Sequence, residues 1–266
     1  MGRIKDSFER VKNQESKSLI TYYVAGDNTL NFSKKVFLKL LSYADIIEIG
    51  VPFSDPMAEG SVIQRSHERA LSSDITFKKI LSLVKELRTH NQDKPIVLMG
   101  YMNNFLSQGE SLFKKIKKAG VDGLIIVDLP YEESEFFYNK LKDIDLDLIR
   151  LISPTTPKKT IEKIVKFSSG FLYYVSFRGV TGAKLSNFKE VQDKVKYIKS
   201  KTKIPVVVGF GIKEGEIAQK MSKISDGVVI GSRLIDIIQQ NNFRLNTSLN
   251  LLEKSLKKFR RDVRKR

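Results

Sequence analysis

Val206-Val207-Val208-Gly209-Phe210-Gly211 and Gly227-Val228-Val229-Ile230-Gly231-Ser232 read alike: a short β-branched run that ends on a glycine-bearing turn. In each, the turn follows a predicted strand and precedes a helix. Outward from them, apolar runs alternate with amphipathic stretches. Strands are predicted at 19–24, 44–49, 95–99, 123–127, 146–152, 170–175, 204–208 and 227–230, and they read as buried on both faces, as parallel strands do. Between them, helices are predicted at 31–41, 76–88, 111–119, 132–141, 157–167, 188–198 and 214–221. A further helix at 4–11 precedes the first strand, and one at 61–70 follows the second. Eight such units close into a barrel or open into a doubly wound sheet. An open sheet often carries GxGxxG after its first strand, and here that strand ends Ala25-Gly26-Asp27-Asn28. The glycine turns stand instead after strands seven and eight, where barrels often hold phosphate. The expected fold is a (β/α)8 TIM barrel with an extra N-terminal helix, one domain over 1–266.

The 266 residues suit one large α/β domain, and 41% apolar residues fill a core. The absence of cysteine excludes disulfides and thiolate metal sites. Met1-Gly2-Arg3-Ile4-Lys5-Asp6 has no apolar stretch of the signal-peptide kind, and no run approaches the ~18 residues of a membrane helix. A soluble, cytoplasmic protein without membrane contact is expected. The net charge of +17 raises nucleic acid as a partner, but the lysines are spread over nearly every predicted helix and read as solvated faces. Only the tail concentrates charge, with eight basic and two acidic residues over 251–266. It also spaces Leu252, Leu256, Phe259 and Val263 as one helical face, so a terminal helix packed on the body is expected.

In Asp45-Ile46-Ile47-Glu48-Ile49-Gly50, Glu48 interrupts an apolar strand near its C-terminal end, where barrel enzymes place catalytic groups. Burial there raises a carboxyl pKa and poises it for acid/base work, unless Glu48 is only a structural partner of a nearby loop. The following loop, Val51-Pro52-Phe53-Ser54-Asp55-Pro56-Met57-Ala58-Glu59-Gly60, brings a second carboxylate, Glu59, toward the mouth, while Asp55 reads as an Asp-Pro turn brace. Gly209, Gly211, Gly231 and Ser232 offer backbone N–H groups and a hydroxyl to an anion. Ser176-Phe177-Arg178-Gly179-Val180-Thr181-Gly182-Ala183 suits a lid or another phosphate-side turn. Tyr173 either faces the mouth or packs in the core. Of the two histidines, His67 reads as a surface helix residue, and no metal set is visible. What remains is carboxylate chemistry.

The run Glu48-Ile49-Gly50-Val51-Pro52-Phe53-Ser54-Asp55-Pro56 resembles the signature of the tryptophan synthase alpha chain family. Ile63-Gln64-Arg65, the strand at 95–99 with Tyr101 and Asn103, Asp128-Leu129-Pro130, Pro154-Thr155-Thr156-Pro157, the turn at 179–182 and Gly209-Phe210-Gly211-Ile212 are similar in the same order. The resemblance implies a (β/α)8 barrel and a lyase that cleaves indole-3-glycerol phosphate to indole and glyceraldehyde 3-phosphate. It implies no cofactor in this chain. The implied partner is a beta chain carrying pyridoxal phosphate, in an α2β2 heterotetramer that passes on indole for tryptophan synthesis; the loop at 52–57 is implied to touch it. By the same resemblance Glu48 is the acid/base, Glu59 binds the indole N–H, and Tyr173 lies near the reacting centre. Gly182, Gly211, Gly231 and Ser232 are implied to hold phosphate, and Thr181 to support lid closure.

Some positions depart from the family pattern. Glu59 stands where aspartate is usual, Ser61, Asn28 and Asn104 where proline is frequent, and Arg150 where a strand residue is usually apolar; Phe177-Arg178 alters the start of the lid. Four other readings stay open: a stand-alone indole-glycerol-phosphate lyase, another phosphate-binding barrel such as indole-glycerol-phosphate synthase, a degenerate subunit that only activates its partner, and a basic nucleic-acid binder.

Overall fold

The computed structural model describes residues 2–107, 109, 111–175, 188–209, 211–212 and 214–264. Eight parallel strands close in chain order: β1 (Ser18–Val24), β2 (Ile46–Gly50), β3 (Ile96–Gly100), β4 (Gly123–Ile126), β5 (Asp147–Ile152), β6 (Leu172–Val175), β7 (Val206–Gly209) and β8 (Gly227–Ile230), with β8 pairing back to β1. The TIM barrel expected from the alternation is the observed fold. Around it run α2 (Leu30–Tyr43), α3 (Ser61–Leu71), α4 (Phe77–His90), α5 (Met102–Leu106), α6 (Ser111–Ala119), α7 (Ser134–Lys142), α8 (Lys158–Lys166), α9 (Phe188–Lys201), α10 (Gly215–Ile224), α11 (Ser232–Gln240) and α12 (Leu245–Arg264). The Thr29 and Thr76 hydroxyls cap α2 and α4 by accepting from Phe32 N and Lys79 N.

Strand alternation splits the apolar residues into two cores. Outward residues such as Ile47, Leu98, Leu148 and Val208 pack under the helices. Inward residues fill the barrel: Ile20, Ile46, Val97, Ile125, Ile149, Val207 and Val229 form one cluster with Phe171 and Tyr173. The N-terminal helix, α1 (Arg3–Asn13), closes the lower end of that core. Its Ile4 and Phe8, one turn apart, join the interior cluster, and the Phe8 and Phe171 rings lie 5.8 Å apart. Each such burial contributes about 1.5–3 kcal/mol.

The lower rim repeats one device at alternate strands. Asp45, just before β2, accepts from Leu19 N at 2.9 Å, and Asp122, before β4, from Ile96 N at 2.8 Å. Ser169, before β6, accepts from Leu148 N at 3.0 Å, and Asp226, before β8, from Val206 N at 2.9 Å. The backbone returns each bond: the N–H of Asp45, Asp122, Ser169 and Asp226 donates to the carbonyl of Leu19, Ile96, Leu148 and Val206. Each odd strand is thus clasped to the even strand that follows it. Buried backbone groups at a strand start need such partners.

The basic tail forms the expected terminal helix, α12, with Leu252, Leu256, Phe259 and Val263 buried on one face. Arg260 pairs with Asp45, which ties the helix to the first clasp. α5 has no counterpart among the predicted elements, since five residues are too few to show a period. No helix among the described residues is long and apolar enough to cross a membrane.

Candidate active site

All eight strands end on one face, and every described candidate residue lies at or near it. Glu48 is third of the five residues of β2, level with Tyr22 on β1 and Val97 on β3. It is wholly buried, and among the described residues neither carboxyl oxygen has a hydrogen-bond partner. A charge there is costly, so burial first, and the nearby Glu59 second, push its pKa from 4.5 up to about 8. Glu59 sits at the end of the loop after β2. Glu59 N donates to Pro56 O at 3.0 Å, and Gln64 Nε2 on α3 donates to Glu59 O at 3.0 Å. These bonds turn its side chain inward, where it is 2% exposed and burial raises it to about 7. The structure brings the two sequence-predicted carboxylates together, both buried, at one mouth.

Three phenols close around them. Tyr173 on β6 faces the barrel interior and lies against Gly209 on β7. Tyr22 on β1 lies against Gly50 and Gly231. Tyr101, after β3, stacks on Phe53 at 4.7 Å between centroids and accepts from Ala58 N at 3.3 Å. Burial raises the pKa of all three, and the carboxylates add to it. Tyr22 escaped the sequence reading, and Tyr101 entered it only as part of the family resemblance, with no role at the site.

His67 is a correction. It is buried rather than on the surface, because both ring nitrogens have partners: Phe53 N at 3.1 Å and Tyr22 Oη at 3.2 Å. Burial lowers its pKa to about 4. The signal was present in Ile63, His67 and Ala70, which share one helical face. On the same helix, Ser66 and Arg69 hold buried Asp27 through bonds of 2.7 Å each.

The β7 and β8 side of the mouth suits an anion. Gly211 adopts φ 74°, the left-handed region that favours glycine. Gly231 precedes α11 and offers no side-chain cap, so the first N–H groups of that helix, Ser232 among them, are left for a ligand. Thr181 and Gly182, with Phe177-Arg178, lie outside the described residues. Asp55 is exposed and braces its own turn: Ser54 Oγ donates to Asp55 Oδ2 at 2.5 Å, and Met57 N donates to Asp55 O at 2.7 Å.

Three of the other departures have local reasons. Asn28 has φ 70°, which proline cannot adopt. Asn104 accepts from Tyr101 N at 2.9 Å and donates to Pro52 O at 3.1 Å, so it pins the loop after β2 to α5. Ser61 is the first residue of α3, a position that serine and proline both fill. Arg150 is buried and, among the described residues, makes one hydrogen bond, to Leu129 O at 2.7 Å; nothing in the structure explains a charge at this strand position.

Fold and site together define a (β/α)8 barrel of the enzyme class, with two buried carboxyls and glycine-bearing turns at the mouth of its strands. The family model for the tryptophan synthase alpha chain matches residues 8–264. The tryptophan synthase alpha chain of Hydrogenovibrio crunogenus is 38% identical over 100% of this chain and 98% of that protein. The alpha chain of a Janthinobacterium species is 44% identical over 91% of this chain and 92% of its own. The crystal structure of tryptophan synthase subunit alpha from Legionella pneumophila superposes with a TM-score of 0.87 at 34% identity, covering 99% of this chain and 98% of that one. The chain belongs to the tryptophan synthase alpha chain family.

Proposed function

We propose that this chain cleaves indole-3-glycerol phosphate to indole and glyceraldehyde 3-phosphate at the mouth described above. The observation that carries this reading is the pair of buried carboxyls with raised pKa, Glu48 and Glu59, in one site. The reaction breaks the bond between the indole ring and the glycerol chain. The ring carbon gains a proton, and the adjacent hydroxyl loses one as its carbon becomes an aldehyde, so no proton is consumed overall. Glu48, protonated at neutral pH, donates to the ring carbon and then takes the hydroxyl proton. Glu59 accepts the indole N–H and stabilises positive charge that develops on the ring. Tyr173 packs beside the reacting centre. Phosphate binds backbone N–H groups at Gly211, Gly231 and Ser232, together with Gly182, and Thr181 supports lid closure.

The same reading supplies the partner. Met57, 77% exposed, and Leu106, 55% exposed, stand in the connections that follow β2 and β3, at the mouth end. An apolar rim of this kind fits a docking beta chain, in an α2β2 assembly in the cytoplasm that hands indole on. Pyridoxal phosphate belongs to that beta chain, and this chain's chemistry uses none. Indole release by the isolated chain and by the chain with its beta chain tests the reading. Release that rises with the beta chain is expected. High turnover alone indicates a stand-alone lyase, and no release in either case overturns the proposal.

A further inference from the structure

The neutral His67 ring has its proton placed by its neighbours. A backbone N–H only donates, so His67 Nδ1, 3.1 Å from Phe53 N, must accept. The ring proton is then on Nε2, which donates to Tyr22 Oη at 3.2 Å. That bond occupies the oxygen's acceptor side and turns the phenol's own O–H away from His67. Among the described residues, the Tyr22 hydroxyl makes no other hydrogen bond.

The direction of that O–H follows from how the phenol is held. A Cβ on Gly231 would lie 3.1 Å from Tyr22 Cδ1, and a Cβ on Gly50 would lie 2.4 Å from Tyr22 Oη. The ring therefore runs from the turn before α11 to the end of β2, with its oxygen two residues beyond Glu48. Tyr22 is also level with Glu48 across the β1–β2 pair. The ring thus spans from the anion-suited turn to the strand that carries Glu48, and its hydroxyl lies at the Glu48 end, where a chain whose phosphate is anchored at Ser232 would lead.

We infer that Tyr22 donates a hydrogen bond to the glycerol chain of the substrate, and that His67 is the positioning residue that fixes the direction of that donor. The inference rests on the indole-glycerol-phosphate reading for the identity of the chain. Through Phe53, His67 also holds the loop that carries Glu59, so one ring sets both the loop and the donor.

Two substitutions separate the two bonds. The Asn amide reaches the Nδ1 position and the Gln amide the Nε2 position. His67→Asn therefore keeps an acceptor for Phe53 N and loses the donor to Tyr22, whereas His67→Gln keeps that donor. The full chain with its beta chain is assayed for indole release. Tyr22→Phe is expected to lower kcat/KM about ten-fold, the scale of one lost hydrogen bond. His67→Asn should lower it less, His67→Gln should restore it toward the parent, and Tyr22→Phe should add little once His67→Asn is present. Equilibrium binding of two probes gives a readout independent of turnover: Tyr22→Phe should weaken glycerol 3-phosphate and leave inorganic phosphate unchanged. The inference is overturned if Tyr22→Phe stays within about two-fold of the parent, or weakens both probes alike, or if its effect and that of His67→Asn simply multiply. A parent that releases no indole while the probes still discriminate overturns the substrate reading and leaves the polyol donor standing.

Discussion

The phenol of Tyr173 and the backbone of Gly209 occupy the same pocket of space: a methyl group on Gly209 would stand 2.3 Å from Tyr173 Oη and 2.7 Å from Cζ. Real side chains do not tolerate such contacts, so only glycine at 209 lets the ring lie where it does. Gly209→Ala should push the phenol off its place. A displacement near 1 Å costs roughly 10²-fold in rate, and overpacking costs about 1–3 kcal/mol in stability. Indole release and a thermal melt check both, and a parental rate in this variant removes Tyr173 from the site.

Glu48→Gln keeps shape and removes proton transfer. Cleavage should fall roughly 10²-fold or more, with the fold intact. Stability should move the other way. The folded pKa, about 8, lies above the ordinary 4.5, so the folded state holds this proton more tightly than the unfolded chain. That contribution is complete below pH 4.5 and is lost as pH rises to about 8, at about 1.4 kcal/mol per pH unit. Gln stays neutral throughout. The Tm advantage of Glu48→Gln over the parent should therefore grow from pH 5 to pH 8, and an advantage that shrinks over that range contradicts the burial of an unpaired carboxyl.

Glu59 should do work usually given to aspartate. Glu59→Ala is expected to lose most cleavage while still binding inorganic phosphate. Glu59→Asp should remain active but slower than the parent, because a shift of about one bond length is of the size that costs rate. Glu59→Gln removes the second cause of Glu48's raised pKa, so the alkaline limb of the rate profile should move to lower pH. If Glu59→Ala cleaves at the parental rate, the role passes to Asp128, which is exposed and accepts from Met102 N at 2.6 Å.

The anion side is open to a direct test. Val at position 211 is strained at φ 74° and crowds the approach of a phosphate, so Gly211→Val should raise KM. Ser232→Ala removes a hydroxyl at the start of α11 and leaves the helix in place. KM should rise about two- to ten-fold, the scale of one hydrogen bond. Unchanged KM values in both variants place the phosphate elsewhere.

Glu48 was legible because a carboxylate inside an apolar strand violates the local pattern, and Glu59 because its loop follows that strand. The glycines after strands seven and eight were legible by their place in an eightfold alternation. Tyr22 was not. Within an apolar run a tyrosine looks like core, and only the closed register of β1 with β2 and β8 puts its ring over Gly50 and Gly231. His67 shows the complementary failure. Its helical face was readable, but the partners that make its burial tolerable come from Phe53 and Tyr22, 14 and 45 residues away. α5 was hidden by its length, and the Asn104 bond to Pro52 by its reach across 52 residues.

The four clasps of the lower rim also bear on how the chain assembles. Their partners are separated by 26, 26, 21 and 20 residues, so each closes within a single strand–helix–strand unit. None spans two units. No clasp therefore needs a residue from outside its own unit, and each can form once its even strand has emerged. A backbone cut between β4 and β5 severs no clasp and leaves two half-barrels of two complete units each, whereas a cut between β3 and β4 divides Asp122 from Ile96. Fragment pairs made at the first position are the ones equipped to find each other again, because the edges they must rejoin are whole.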